Sequence, residues 1–143
     1  MKEYVLGFLF SPDKKEVLLL KKEKPAWQKD MWNGVGGKVE EGEASIQAMA
    51  REFEEEAGVQ IDTWIAFAEM SGTGWHIDCF HAVSENIWKA FPQVAEDGET
   101  TEDVHVFPVG NIPQNIVAEV AWLVPLALNS TAESGPMFTE IYF

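Results

Sequence analysis

Residues 37–59, GKVEEGEASIQAMAREFEEEAGV, contain the pattern that decides the fold of this chain. From Glu43 to Ala57, apolar residues recur at steps of three and four, the spacing that places them on one face of an α-helix; they are Ile46, Met49, Ala50, Phe53 and Ala57. Gly58 follows as a C-terminal stop. The pattern predicts an amphipathic helix over residues 43–57.

Three glutamates of this helix indicate a metal site. Glu52, Glu55 and Glu56 are three and four residues apart, so we predict that they lie together on the face opposite the apolar residues. Like charges at this spacing destabilise an isolated helix by roughly a few tenths of a kcal/mol per pair. A hard divalent cation such as Mg²⁺ or Mn²⁺ prefers oxygen ligands and offsets this repulsion. The alternative is that the glutamates merely solvate the outer face of the helix.

The residues before the helix form a glycine-rich loop. Gly36 and Gly37 let the backbone approach a metal ion or a phosphate closely, because glycine has no side chain to obstruct it. A nucleotide-binding P-loop is excluded, since Val39 follows Lys38 where serine or threonine is required, and Trp32 replaces the first glycine. The loop therefore favours a metal or phosphate site of another kind.

Together, the loop and the helix carry a known signature. Gly37 is followed after five residues by Glu43, and after seven more by the segment REFEEEAGV, residues 51–59. This matches every position of the Nudix signature Gx5Ex7REUxEExGU, in which U is apolar, so the chain resembles the Nudix hydrolase family. The resemblance implies an α/β fold, a Nudix-type α/β/α sandwich with a mixed central sheet, as a single domain over residues 1–143. It also implies a pyrophosphohydrolase that cuts a diphosphate linkage in a small nucleotide.

The resemblance also implies a metal-binding role for particular residues. Arg51 and Glu43 would form an ion pair that orients the loop against the helix, in agreement with the two-point geometry of an arginine and a carboxylate. The cofactor would be Mg²⁺ or Mn²⁺. Its implied ligands are the backbone carbonyl of Gly36 and the side chains of Glu52, Glu55 and Glu56.

A carboxylate must take the proton of the attacking water. We expect this base to be Glu52 or an acid from the segment before the predicted strand at Val104, where Glu99 and Glu102 are the candidates. The residues alone do not separate these two. For each, the alternative is an ordinary charge on a loop.

The substrate is suggested by the segment WNGVGGKV, residues 32–39, which is similar to a subgroup of oxidised-purine nucleoside triphosphatases that hydrolyse 8-oxo-dGTP. By this resemblance Asn33 would bind the edge of a purine, a role that suits an amide with both donors and acceptors. Trp27 would line the base pocket, and Lys38 and Glu119 complete the expected substrate-binding residues. For Trp32 we favour packing under the loop. The products would be a nucleoside monophosphate and pyrophosphate.

The similarity to this subgroup weakens towards the C-terminus. Trp122-Leu123-Val124-Pro125 matches a stretch of the subgroup, but Ile116 and Ala118 stand where it carries a stacking tryptophan and the first of two acids. Only Glu119 retains an acid there. A nucleotide sugar or a dinucleoside polyphosphate therefore remains an alternative substrate, and a catalytically inactive nucleotide sensor is a further alternative.

The rest of the chain predicts strands around this helix. Alternating or continuous apolar runs indicate strands at Tyr4–Phe10, Glu16–Leu20, Ile61–Met70, Trp75–Val83 and Val104–Val109. Pro113 is predicted to start a second helix that buries Ile116, Val120, Leu123 and Leu126. The tail at residues 137–143 is predicted to tuck its aromatic residues into the sheet. His76, Asp78 and His81 are interpreted as structural, and Trp75 and Trp88 as core or interface residues.

Composition limits the partners. The formal net charge of −14 disfavours binding of a long nucleic acid through its phosphates. A small nucleotide is compatible with this charge if a metal ion supplies positive charge. No stretch has the roughly 18 apolar residues of a membrane span, and the single cysteine, Cys79, favours a cytoplasmic setting. We expect a monomer or a homodimer.

Overall fold

The chain folds as a mixed α/β protein, in which four strands precede the first helix and three more precede the second. The computed structural model describes residues 1–94, 102–130 and 139–143. Within these residues the strands are β1 (Lys2–Phe10), β2 (Glu16–Lys21), β3 (Trp32–Asn33), β4 (Val35–Lys38), β5 (Ile65–Gly72), β6 (Trp75–Val83), β7 (Val104–Pro108) and β8 (Thr139–Tyr142). The helices are α1 (Ser45–Ala57) and α2 (Val120–Asn129).

The strands form one mixed sheet in the order β3-β2-β1-β6-β5-β8, with β4 beside β1 and β7 beside β2. The β1–β6 and β5–β8 pairs are parallel, and the other pairs are antiparallel. Strand β4 pairs only with β1 among the described strands, so its glycines lie at a free edge of the sheet. This edge is where the candidate site is built.

The predicted strands are confirmed, with shifted ends. The hairpin between β1 and β2 turns at Ser11, whose hydroxyl donates to Asp13 Oδ1 over 2.7 Å, and Lys14 adopts a positive φ of 60°. Strand β6 has the predicted bounds, whereas β5 begins at Ile65, four residues later than Ile61. The sheet prediction succeeds because the apolar runs are long relative to the turns between them.

Helix α1 confirms the prediction from periodicity. Gly58 ends it with a left-handed φ of 74°, and its N–H donates to Glu54 O over 2.9 Å. At the other end, Gln47 accepts a hydrogen bond from the N–H of Ala44. The buried face consists of Ala48, Met49, Phe53 and Ala57. Ile46, which the periodicity places on the apolar face, is 48% exposed.

The prediction that the second helix starts at Pro113 is wrong. Helix α2 starts at Val120, and the segment before it is extended along β3. Trp32 N–H donates to Asn115 O over 2.8 Å, and Val117 N–H donates to Trp32 O over 2.9 Å. These bonds tie the backbone of the segment to a strand, so it cannot form helical hydrogen bonds.

Helices cover both faces of the sheet. One core lies between the sheet and α1, and the other between the sheet and α2. The layers therefore form the expected α/β/α sandwich. The tail is only partly as predicted: β8 joins the sheet edge, but Tyr142 and Phe143 remain largely exposed. None of the helices in the described part of the chain has the length and apolar character needed to cross a bilayer.

Candidate active site

The glycine loop and helix α1 meet at a very close contact. The carboxylate of Glu52 lies so near Gly37 that a Cβ atom added to this glycine would overlap it. A Cβ added to Gly36 would instead overlap the backbone carbonyl of Val5 on the paired strand β1. Glycine is therefore needed at both positions, at one for a carboxylate and at the other for strand pairing.

Arg51 links the loop to the helix. Its Nε and Nη2 atoms donate to the two carboxylate oxygens of Glu43 over 2.8 and 2.9 Å, which is the two-point ion pair predicted from the sequence. Nη1 donates to Glu52 over 2.9 Å and to Glu55 over 3.3 Å, and Nη2 also donates to the carbonyl of Lys38 over 3.0 Å. The hydrogen bonds from Arg51 hold the pKa of Glu43 below its ordinary value. One guanidinium thus fixes three carboxylates and the loop backbone.

Glu56 is the most unusual carboxylate of the site. Its Oε2 atom is buried and has no hydrogen-bond partner among the described residues. Burial raises the pKa of Glu56 to about 8, and the negative charges of Glu102, Glu52 and Glu55 act in the same direction, against Lys22. Burial likewise raises the pKa of Glu52, although Arg51 opposes the rise. Buried carboxylates without enough partners are costly, so the site suits a cation.

The predicted grouping of the glutamates is correct only in part. Glu55 is 53% exposed on the outer side of the helix, as expected. Glu52 and Glu56, in contrast, lie at the border of the buried face. A signal for this was present in the sequence, because Glu56 follows the buried Met49 by seven residues, which is nearly two complete turns.

One of the two candidate downstream acids, Glu102, lies in the described part of the chain. Glu102 accepts a hydrogen bond from Glu23 N–H over 3.1 Å, its carboxylate is 3.9 Å from Lys22 Nζ, and its charge acts on Glu56. The structure therefore brings Glu102 to the carboxylates of α1. Glu99 lies outside the described residues.

A cleft of about 650 Å³ lies on the α2 face of the sheet and reaches Gly37 of the glycine loop, which Glu52 contacts from the other face. Its floor is formed by Tyr4, Ile77 and Met70, which lie directly opposite one another on three neighbouring strands. At one end it reaches Gly36 and Gly37. The edge strand β4 thus separates the cleft from Glu52, and a ligand in the cleft lies beside the glycine loop.

Several residues predicted to bind substrate line this cleft. Asn33, Trp27 and Glu119 do so, although they come from three separate segments. Asn33 Oδ1 accepts a hydrogen bond from Gly34 N–H over 2.8 Å, which fixes the side-chain amide. Lys38 is different: its side chain is exposed and outside the cleft, so its substrate role stays a prediction.

Comparison with known proteins agrees with this arrangement. A family model described as the NUDIX domain matches residues 2–127, which is most of the chain. This chain belongs to the Nudix family. The family assignment supports a Nudix pyrophosphohydrolase. Among curated proteins, the mouse oxidized purine nucleoside triphosphate hydrolase is 38% identical over 60 residues, a match that spans 42% of this chain and only 36% of the mouse protein.

Solved structures share the Nudix fold. A NUDIX hydrolase from Nitrosomonas europaea superposes with a TM-score of 0.70 at 22% identity, over 99% of this chain and 79% of that one. A solved MutT structure, from work on Aliivibrio salmonicida and Vibrio cholerae, superposes with a TM-score of 0.65 at 23% identity, over 90% of this chain and 98% of that one. The NUDIX domain of Shewanella oneidensis NrtR, complexed with ADP ribose, gives 0.69 at 17% identity, over 89% and 86%.

Some residues of this Nudix cleft were not identified from the sequence. Lys22 is the one cation among the described residues that line it, and it follows β2 in a segment without any motif. Trp75 packs against the core as expected, but it also lines the cleft, together with Phe143 from the chain's last described segment. Trp88 is 61% exposed, so the core alternative for it is wrong. Trp32 packs edge-on against Phe107 at 4.9 Å between ring centroids, as predicted.

A second group of possible metal ligands lies on the α1 face of the sheet. Oxygen and nitrogen atoms of Glu69, His76 and Asp78 lie within 4.8 Å of one another. The imidazole is already engaged, because Nδ1 is 2.8 Å from Ser71 Oγ and Nε2 is 2.8 Å from Asp78 Oδ1. These hydrogen bonds agree with the structural interpretation of His76 and Asp78.

Proposed function

We propose that this Nudix protein hydrolyses a nucleoside triphosphate to a nucleoside monophosphate and pyrophosphate with the help of Mg²⁺ or Mn²⁺. The observation that carries the proposal is that the Glu52 carboxylate contacts Gly37, which also lines one end of a nucleotide-sized cleft, while Glu56 lies one turn further along α1. Pockets of a few hundred Å³ with a few polar groups are typical small-molecule sites. The match to the mouse hydrolase supports the substrate class.

The residues present fit a divalent metal ion. Glu56 Oε2 is buried without a protein partner among the described residues, and two more carboxylates lie on the same helix. We propose Glu52, Glu55, Glu56 and the backbone carbonyl of Gly36 as the ligands. When bound, such an ion neutralises phosphate charge and lowers the pKa of a coordinated water.

The protein residues would divide the remaining work. Lys22 offers an ammonium group to the phosphates at the carboxylate end of the cleft. Water attacks a phosphorus atom of the α–β linkage, its oxygen bonds to that phosphorus, and the bond from phosphorus to the bridging oxygen breaks. The proton of the water passes to a carboxylate, for which we propose Glu52 or Glu102. Arg51 holds Glu52 in place and touches neither water nor phosphate in this scheme.

The other end of the substrate would be recognised by amide and ring contacts. The Asn33 amide, fixed by Gly34, is proposed to bind the edge of the base. Glu119 offers a carboxylate to base N–H donors, and Trp27 offers a ring face from the loop above the cleft. The proposal also includes a cytoplasmic setting and a monomeric or homodimeric state, which gel filtration at several protein concentrations would test.

A second candidate is a nucleoside diphosphate linked to another group. The cleft supports it, because its floor extends over four strands, β4, β1, β6 and β5, or about 14 Å at the usual strand spacing. The similarity in fold to a NUDIX domain complexed with ADP ribose points in the same direction. A catalytically inactive sensor is disfavoured, since all three glutamates of α1 are present.

Enzymatic turnover on a panel of nucleotides tests these candidates. Purified protein would be assayed with Mg²⁺ on normal and 8-oxo nucleoside triphosphates, ADP-ribose and dinucleoside polyphosphates, with products identified by mass. Glu56→Gln should abolish turnover, and Glu54→Gln, an exposed neighbour on the same helix, is the matched control. Equal kcat/KM for 8-oxo-dGTP and dGTP would eliminate oxidised-purine selectivity. No turnover on any nucleotide would favour the sensor.

A further inference from the structure

An aromatic pair closes the end of the cleft that is far from the carboxylates. Trp75 opens strand β6, and Phe143 directly follows strand β8. Their ring centroids are 5.8 Å apart and their planes meet at 37°. Both residues line the cleft, so a ligand that extends past the floor meets two ring faces there.

The backbone holds both rings in position. A Cβ atom on Gly72, which pairs with Trp75 across the β5–β6 ladder, would overlap the indole, so the ring lies directly over this glycine. Phe143 N–H donates to Ser71 O over 2.8 Å, which continues the β5–β8 pairing. Gly72 thus makes room for one ring, and a main-chain hydrogen bond anchors the residue that carries the other.

The exposure of Phe143 is notable in this setting. The side chain is 65% exposed although its backbone is hydrogen-bonded and its ring faces Trp75. Single exposed apolar side chains are common. Here, however, an anchored exposed ring lies beside a second ring at the wall of a cleft, and this arrangement suits a flat apolar ligand group.

The distance from the carboxylates is appropriate for a nucleobase. Gly36 on β4 is level with Leu6 on β1, whereas Trp75 on β6 is level with Lys2, so two strand spacings and four residues of rise separate their backbones by roughly 17 Å. Between them the floor offers Tyr4 and Ile77, which provide apolar surface rather than charge. A phosphate chain at the glycines therefore leaves room for a sugar before the rings.

We propose that Trp75 and Phe143 form a stacking platform for the base of the substrate and favour purines over pyrimidines. This inference rests on the proposed function and deepens it. Aromatic side chains stack on any base, because each base has a π-face, and the larger purine covers more of the two rings. The platform supplies contact with the face of the base, and it takes the place of the Asn33 contact, because Asn33 precedes Val35, which pairs with Gly7, whereas Trp75 pairs with Lys2 on the other side of Gly36.

Leucine variants of both aromatic residues test the platform. Trp75→Leu and Phe143→Leu should each raise KM for dGTP about tenfold, raise KM for dCTP less, and affect kcat less than KM, since loss of stacking weakens binding of the ground state and the transition state alike. Trp88→Leu is the matched control, because this tryptophan is exposed and does not line the cleft. Unchanged KM values in both cleft variants, with turnover intact, would overturn the platform and leave the proposed function standing.

A binding measurement separates the two proposals and covers a variant that misfolds. The milder Trp75→Phe keeps an aromatic ring but removes the indole fluorophore. In a Trp27→Phe background, which removes the other tryptophan of the cleft, quenching of tryptophan fluorescence by a non-hydrolysable α,β-methylene analogue of dGTP should be strong with Trp75 present and in Trp88→Leu, and much reduced in Trp75→Phe. Quenching retained in Trp75→Phe would overturn the platform. A wild type that is quenched but hydrolyses nothing would support the platform and refute the proposed hydrolysis.

Discussion

Replacing Glu56 by glutamine should stabilise the metal-free protein while abolishing its activity. In the folded chain this carboxylate is buried beside Glu52 and Glu102, and burial is the largest cause that raises its pKa to about 8. Glutamine has nearly the same shape and carries no charge. The substitution therefore removes the cost of a buried ionisable group and, with it, a proposed metal ligand.

The sign and size of the effect follow from proton linkage. Below pH 4.5, the ordinary value, the carboxyl is protonated in the folded and unfolded states, and it does not affect stability. Between pH 4.5 and about 8 only the unfolded chain releases the proton, so the free energy of unfolding falls by about 1.4 kcal/mol per pH unit. The upper bound above pH 8 is about 5 kcal/mol. Because neighbouring carboxylates can rearrange, we expect about 2–4 kcal/mol.

Denaturant unfolding in EDTA measures this effect. Tryptophan fluorescence would follow urea unfolding of wild type, Glu56→Gln and Glu54→Gln at pH 5, 6, 7 and 8. The advantage of Glu56→Gln over wild type should be below about 1 kcal/mol at pH 5 and grow to about 2–4 kcal/mol at pH 8. Glu54→Gln should stay within about 0.5 kcal/mol of wild type. A difference that does not change with pH, or a less stable Glu56→Gln at pH 8, would refute the reasoning.

Three further substitutions test individual contacts. Gly37→Ala should displace the Glu52 carboxylate and lower kcat about 100-fold. The free energy of unfolding should change by less than about 1 kcal/mol, because only the flexible end of the Glu52 side chain must move. A normal kcat would contradict the role given to this contact. Arg51→Lys should lose the pair of hydrogen bonds to Glu43 and lower Tm by roughly 3–8 °C in a thermal melt. An unchanged Tm would show that this pair of hydrogen bonds does not stabilise the fold. Lys22→Met should raise KM for nucleoside triphosphates about tenfold and flatten its salt dependence, and an unchanged KM would remove this lysine from the phosphate site.

Local features of the sequence predicted the scaffold well. The three- and four-residue steps of the apolar residues and the glycine after Ala57 depend on one helix alone, and both are confirmed in α1. The pairing of Arg51 with Glu43 was also predicted, through a motif whose spacing is fixed by a short loop and two helical turns. Features that depend on neighbours within about 20 residues were therefore accessible from the sequence.

Two features that depend on distant segments were missed. The second helix starts seven residues later than Pro113, because residues 115–117 bond to Trp32, more than 80 positions earlier. The cleft combines Trp75 with Phe143, which the parallel pairing of β5 and β8 brings together. Nothing in the local composition of either segment indicates such a pairing. Tertiary contacts decide these elements, and a single sequence does not display them.

Binding of Mn²⁺ tests the central claim most directly. Mn²⁺ binding would be followed by electron paramagnetic resonance titration. All proteins would carry His76→Ala, so that the cluster of Glu69, His76 and Asp78 does not contribute. The His76→Ala protein would be compared with the same protein carrying Glu56→Gln or Glu54→Gln. Glu56→Gln should weaken Mn²⁺ binding at least tenfold and lose turnover in parallel, whereas Glu54→Gln should retain both. Equally tight Mn²⁺ binding by Glu56→Gln, or full turnover in excess EDTA, would contradict this claim.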